Sequence, residues 1–203
     1  MNLRDVIPTA ENSSNFNVVP ESITEVGTTL ENLKAAVCGE TGASAKYAAC
    51  AAAAKEQGFD QIARLFEATS AAEQIHIGLE AGVIAEIEPG YERPAAPEAE
   101  GIATDLNLIA GALGEIYETS DMYPSFIKVA QEEGNKKAEF VFTRAKLAEA
   151  VHAELYLQAY NNIDAADDDS YFLCPGCGYI EKGSAAPEKC PICGAPAKVF
   201  KQF

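Results

Sequence analysis

Two tetrapeptides, Glu73-Gln74-Ile75-His76 and Glu149-Ala150-Val151-His152, contain both histidines of this 203-residue chain. On a helix, residues three apart lie on one face, so each tetrapeptide presents a carboxylate and an imidazole together. Two such pairs, completed by one glutamate from each of two further helices, make the ligand set of a carboxylate-bridged dimetal centre. Glu40 and Glu115 supply those glutamates, and Glu118, one turn beyond Glu115, is a seventh candidate. Hard oxygen ligands with one imidazole per metal suit iron or manganese better than zinc or copper. A single E-x-x-H is weak, because glutamate is common and usually solvated. Its force here is that both histidines fall in one, at equivalent places of an internal repeat. The glutamates also sit at core spacing among apolar residues. Buried together they would repel at several kcal/mol each, an objection that two divalent cations remove. Tyr47 and Tyr123 read first as core aromatics; their functional reading is a hydroxyl bonded to a ligand carboxylate.

A second constellation lies near the C-terminus. Cys174-Pro175-Gly176-Cys177-Gly178 and Cys190-Pro191-Ile192-Cys193-Gly194 are two C-x-x-C knuckles. Each turn aims two thiolates at one metal, and four thiolates in a tetrahedron bind zinc or iron. The motif alone leaves a structural zinc ribbon and a one-electron iron site both open. Cys38 and Cys50 are left over and read as small buried thiols.

Four helices are expected to position the first site. Thr28-Thr29-Leu30-Glu31 is a capping-box pattern that starts a helix running to Gly58. A second runs from about Phe59 to Ile87, a third from Thr104 to Glu133, and a fourth from Gly134 to about Ile163. Pro124 lies inside the third and should kink it or cap a sub-segment. Short turns at Gly58 and Gly134 make antiparallel neighbours, while the proline-rich stretch from Pro89 to Pro97 is one long crossover. One long crossover among four such helices is the ferritin-like topology. The halves repeat at an offset of 75 to 76 residues, pairing Glu40 with Glu115, Tyr47 with Tyr123, and the two E-x-x-H motifs. The expected organisation is an irregular arm at 1–27, docked on the bundle or a partner and including Val6, Ile7 and Phe16. A bundle at 28–163, an acidic linker at 164–170 and a metal-stapled module at 171–203 follow.

The net charge is -16, but residues 170–203 carry +2, so the other 169 carry -18. Such a field repels nucleic acid and anionic membranes and favours cations. No stretch has 18 consecutive apolar residues, so no transmembrane helix is expected, and the acidic start does not read as a signal peptide. Paired C-x-x-C in a chain that reads as cytoplasmic points to metal rather than disulfides.

Residues 28–203 resemble rubrerythrin. The matching stretches are 31–36, Gly39-Glu40, 58–76, Gly114-Glu115 with Glu118, 122–126, 132–134, Glu149-x-x-His152 and 174–196. The arm at 1–27 has no match, and the crossover at 88–100 is richer in proline than is usual for the family. The resemblance implies a mainly α fold: a ferritin-like four-helix bundle with a small rubredoxin-like domain at its C-terminus. It implies two irons on Glu40, Glu73, His76, Glu115, Glu118, Glu149 and His152. It favours iron over zinc on Cys174, Cys177, Cys190 and Cys193. The activity implied is a peroxidase that reduces hydrogen peroxide to water in oxidative-stress defence. Its donor would be a redox protein, a rubredoxin or an NAD(P)H-linked reductase. By position, His76 and Glu118 would exchange as ligands of one iron, with Tyr47 and Tyr123 nearby to deliver protons. A thirty-residue helix is about 45 Å long, so a module at the bundle end would lie far from its own di-iron site. The expected assembly is therefore a head-to-tail homodimer. The rivals are a ferroxidase or iron-handling protein using the same six ligands without Glu118, and a non-catalytic bundle with a structural zinc ribbon.

Overall fold

The computed structural model describes residues 16–165 and 168–203. Val6, Ile7 and the rest of the arm's first part lie outside them. Helix α1 (Thr29–Glu56) begins at the expected capping box: Thr28 Oγ1 accepts the Glu31 N–H, and the Glu31 carboxylate accepts the Thr28 N–H at 2.8 Å. A short turn leads to α2 (Asp60–Ile87), and an extended crossover leads to α3 (Thr104–Tyr117).

The expected third helix is broken. After α3 come one π-helical turn (Glu118–Met122) and a separate α4 (Tyr123–Glu132) with Pro124 in its first turn. The cause is visible in the repeat. Glu40 and Glu115 are 75 apart, whereas Tyr47 and Tyr123 are 76 apart. One residue has been inserted between Glu115 and Tyr123, and a helix absorbs an extra residue as a π turn. Pro124 sets the exit, since it has no N–H to give the carbonyl four residues back. Helix α5 (Lys136–Asn161) closes the bundle, with Asn135 accepting the Ala138 N–H as its N-cap.

The interior is layered. One apolar cluster gathers Phe66, Leu108 and Tyr156, and another gathers Leu33, Ile84, Phe126 and Phe142. Each such side chain contributes about 1.5–3 kcal/mol on burial. On every long helix the site glutamates fall between these clusters, so the polar layer is closed from both ends. Cys50 is buried as expected, but Cys38 is exposed, because it turns off the helix face that carries Val37 and Glu40 inward.

Residues 16–27 lie along the bundle, with Phe16 buried against Ala150 and Ala153. The C-terminal module is a three-stranded antiparallel sheet, β1 (Ser170–Leu173) between β2 (Ile180–Gly183) and β3 (Lys201–Gln202). It packs on the flank of α2 and α5 rather than beyond the bundle end. The expectation of a module remote from its own dimetal site is thus corrected within one chain: the chain folds back along the bundle after α5, and the knuckle seats on the site histidines. Among the described residues, no helix is long and apolar enough to cross a membrane.

Candidate metal centres

Glu40 from α1, Glu73 and His76 from α2, Glu115 from α3, and Glu149 and His152 from α5 are all 0–1% exposed. Ligand-type atoms of Glu40, Glu73, His76 and Glu149 lie within 4.8 Å of one another, and so do those of Glu73, Glu115, Glu149 and His152. The two groups share Glu73 and Glu149, the arrangement that two adjacent metals bridged by two carboxylates require. Glu149 touches both imidazoles, at 2.7 Å from each Nδ1. Yet neither Glu149 oxygen nor His152 Nδ1 is aligned for a hydrogen bond, and Glu40 Oε2, Glu73 Oε1 and Glu115 Oε2 also lack a partner among the described residues. Buried acceptors left unpaired are costly. Here their lone pairs converge on common points, and cations at those points would satisfy them all. The donor set, four carboxylates and two imidazoles, fits a dimetal site.

Glu118 stands apart. It is 9% exposed, belongs to neither group, and its Oε2 is unpaired among the described residues. The structure therefore brings six of the seven predicted carboxylates and imidazoles together and leaves the seventh buried near them but outside both groups.

The electrostatics show the same demand for positive charge. Burial, reinforced by Glu149, pushes Glu40 and Glu115 up to about 7. Burial and neighbouring carboxylates push Glu73 and Glu118 well above the ordinary range. Burial alone would lower both histidines, but the surrounding carboxylates, Glu149 foremost with Glu40 and Glu80 at His76 and Glu115 at His152, together outweigh it and lift each to about 10. Glu149 itself is buried, but His76 and His152 hold it below the usual carboxylate range.

Both tyrosines cross between the halves. Tyr47 donates to Glu115 at 2.5 Å, and Tyr123 donates to Glu40. Tyr123 also meets Glu80 at 2.9 Å. Glu80 is fully buried, with its Oε2 unpaired among the described residues, and burial and Glu40 push its carboxyl well up. Sequence reasoning missed it. The available signal was spacing: Glu73, His76 and Glu80 follow i, i+3, i+7 and share a helical face.

The four knuckle cysteines also converge. Cys174 and Cys193 Sγ are 3.4 Å apart, and Cys177 and Cys190 Sγ are 3.5 Å apart, all as free thiols. A tetrahedron with metal–sulfur bonds of about 2.3 Å puts sulfurs about 3.8 Å apart, so a small outward adjustment seats a metal. Mutual thiol hydrogen bonding splits the group: Cys174 and Cys177 push Cys190 down to about 2, while Cys177 is driven far up by Cys174.

The two sites touch through the histidines. His76 Nε2 lies 3.1 Å from the Cys177 carbonyl, and His152 Nε2 lies 2.9 Å from the Gly178 carbonyl. A carbonyl only accepts, so each Nε2 carries the proton and each Nδ1 faces the carboxylates. The approach is close. Gly178 has φ +79°, and a Cβ there would stand 2.2 Å from His76 Nε2, so only glycine fits.

Comparisons with known proteins agree with this architecture. A rubrerythrin family model matches residues 31–160, and a rubrerythrin rubredoxin-like domain model matches residues 172–201. Nigerythrin of Nitratidesulfovibrio vulgaris is 64% identical over 100% of both chains. Rubrerythrin of the same organism is 34% identical, over 85% of this chain and 93% of its own. Among solved structures, nigerythrin in a fully reduced, all-ferrous state superposes with a TM-score of 0.91 at 64% identity, covering 100% of both chains. A mixed-valent nigerythrin gives 0.89 at 66% identity over the same span.

Proposed function

The chain belongs to the rubrerythrin family, and from that premise we propose that it is a non-haem di-iron peroxidase, reducing hydrogen peroxide to water with electrons relayed through an iron on four cysteines. Two ferrous ions on the carboxylate–histidine groups would supply the two electrons that O–O cleavage consumes, and two protons complete two waters. In this reading Glu73 and Glu149, shared by both groups, would serve both metals, with Glu40 and His76 holding one and Glu115 and His152 the other. Glu118 would be the alternative ligand to His76 on that metal. An anionic carboxylate favours ferric iron, and a neutral imidazole tolerates ferrous iron. Tyr123 and Tyr47 orient Glu40 and Glu115, and their hydroxyls can pass protons inward.

The observation that carries the proposal is the pair of histidines joining the sites. Cys177 runs from its thiolate through its own backbone carbonyl to His76 Nε2–H, and His76 Nδ1 faces the dimetal site. That is a short bonded route for one electron at a time. A ferroxidase would use the same six buried ligands but gives Glu118 and the cysteine module no task.

The two functional units are 28–163 and 171–203, and the protein works in the cytoplasm with a rubredoxin or an NAD(P)H-linked reductase as donor. It forms a homodimer; sedimentation of a fully active monomer would remove the dimer. The main test is the visible spectrum of purified protein. A red thiolate–iron band that bleaches on reduction and returns promptly with peroxide is expected. A colourless protein, inert to peroxide after iron reloading, would overturn the proposal.

A further inference from the structure

The residue inserted between Glu115 and Tyr123 leaves a local problem. Pro124 cannot give a hydrogen bond to the carbonyl of Ser120, the acceptor four residues back. A chain element from outside the helix solves it: the Val19 N–H donates to the Ser120 carbonyl at 3.0 Å. The same segment makes further bonds to this turn. The Ile23 N–H donates to Asp121 at 3.0 Å, and Ser22 Oγ donates to the same carboxylate. Ser22 Oγ also meets Ser125 Oγ at 3.1 Å, and Thr24 Oγ1 meets Tyr117 OH at 3.0 Å. Asp121 is 4% exposed; burial raises its carboxyl, but the bonds from Ser22 and Ile23 outweigh this and keep it low. The segment is pinned at both ends, by Phe16 against α5 and by the Asn32 side chain bonded to Gly27 at the start of α1.

The bonds to Ser120 and Asp121 fall on the π-helical residues that begin with Glu118, the bond to Tyr117 falls next to them, and the contact with Ser125 falls in the first turn of α4. On the side facing α5, Thr119 Oγ1 bonds to the Lys146 carbonyl at 2.9 Å. A π turn has poorer hydrogen-bond geometry than the α-helix it interrupts and relaxes unless its surroundings over-determine it. We propose that residues 16–27 are a strap that holds this turn in register, and that Val19, Ser22 and Asp121 are positioning residues acting through Glu118. The strap has no counterpart on α1, where the equivalent of Glu118 is Ala43 and the helix is unbroken.

The kinetic part of the test rests on the peroxidase reading; the structural part does not. Full-length iron-loaded protein is compared with Asp121→Ala, Asp121→Asn and Ser22→Ala. Hydrogen exchange of the amides of residues 118–123 should accelerate about tenfold in Asp121→Ala, with α1, α2 and α5 unchanged and iron content retained. Asp121→Asn, which keeps an acceptor oxygen, should restore most of the protection, and Ser22→Ala should show a smaller acceleration in the same amides. Peroxide turnover should fall about tenfold in Asp121→Ala but should not fall further when the change is made in Glu118→Ala. Unchanged exchange at 118–123 overturns the strap. An equal loss of turnover in both backgrounds overturns its action through Glu118. A wild-type protein without peroxide turnover overturns the peroxidase reading, while accelerated exchange at 118–123 would still support the strap. Should Asp121→Ala not fold, Ser22→Ala decides by the same two readouts.

Discussion

The first helical hairpin, residues 29–87, and the second, residues 104–161, present the same Glu, Tyr and E-x-x-H positions to a common centre, and each tyrosine bonds the other hairpin's glutamate. They differ in three places. The second hairpin has an inserted residue, a π turn and Glu118 where the first has an unbroken helix and Ala43. The first has Glu80 where the second has Tyr156, and Tyr156 meets the Thr69 hydroxyl at 2.5 Å instead of a carboxylate. Among the described residues, only the second has its site-bearing turn strapped by the arm. A duplicated scaffold thus builds two matched ligand groups, and the departures from duplication set one further buried carboxylate, Glu118, beside them.

The element common to both halves should give the largest effect when broken. Glu149→Ala removes the oxygens that face both imidazoles. Dimetal-site iron should fall to near zero while the four-cysteine iron stays, as read by metal analysis and the thiolate–iron band. Loss of this buried partner from two raised histidines should cost about 3–5 kcal/mol in the metal-free protein. Two irons per chain at the dimetal site in this variant would remove Glu149 from the centre.

The asymmetric carboxylate comes next. Glu118→Ala should keep both irons but lose about a hundredfold in peroxide turnover, since the six enclosed ligands are untouched. Turnover at the wild-type rate would make Glu118 a bystander.

Gly178→Ala tests the contact between regions instead of that between halves. The added Cβ would overlap His76 Nε2 at a backbone angle that alanine resists. Both metal centres should load, yet reoxidation of the reduced thiolate–iron band by peroxide should slow about tenfold or more. Prompt reoxidation would show that electrons do not need this seating.

A smaller effect concerns pH. Glu40 and Glu115 have ordinary values of 4.5 and rise to about 7 in the metal-free fold, so there the folded state holds more protons than the unfolded state. Metal-free protein should therefore lose stability as pH rises from about 4.5 to 7. Metal affinity should climb over the same window, because cations displace those protons. Opposite pH slopes for metal-free and loaded protein in denaturant titrations are the check; parallel slopes would contradict it.

The smallest effect is expected at Glu80. Glu80→Leu removes a buried carboxyl with one unpaired oxygen and leaves Tyr123 bonded to Glu40 alone. Metal-free stability should stay level or rise by about 1–2 kcal/mol, with turnover within about threefold. A large loss of turnover would give Glu80 a place in proton delivery.

Much of this molecule follows from local spacing. Three-residue steps on a helix place Glu73 with His76 and Glu149 with His152 regardless of what lies around them, and C-x-x-C turns aim their thiols by backbone geometry alone. The capping box at Thr28 and the break at Pro124 needed nothing more, while the repeat was needed to match Glu40 with Glu115. Even the π turn was written in the step from 75 to 76 in the repeat, although its meaning emerged only once the helix was seen.

What tertiary structure alone decided lies in contacts between residues far apart in the chain. Tyr123 finds Glu80 across 43 residues, Ser22 finds Asp121 across 99, and His76 finds the Cys177 carbonyl across 101. No periodicity encodes such pairs, because they depend on how helices cross and where a flanking segment runs. The sequence by itself determined which residues hold metal-binding chemistry and on which helical faces. Packing determined that the cysteine module rests on its own histidines, that Glu80 joins Tyr123, and that the arm closes over the turn carrying Glu118.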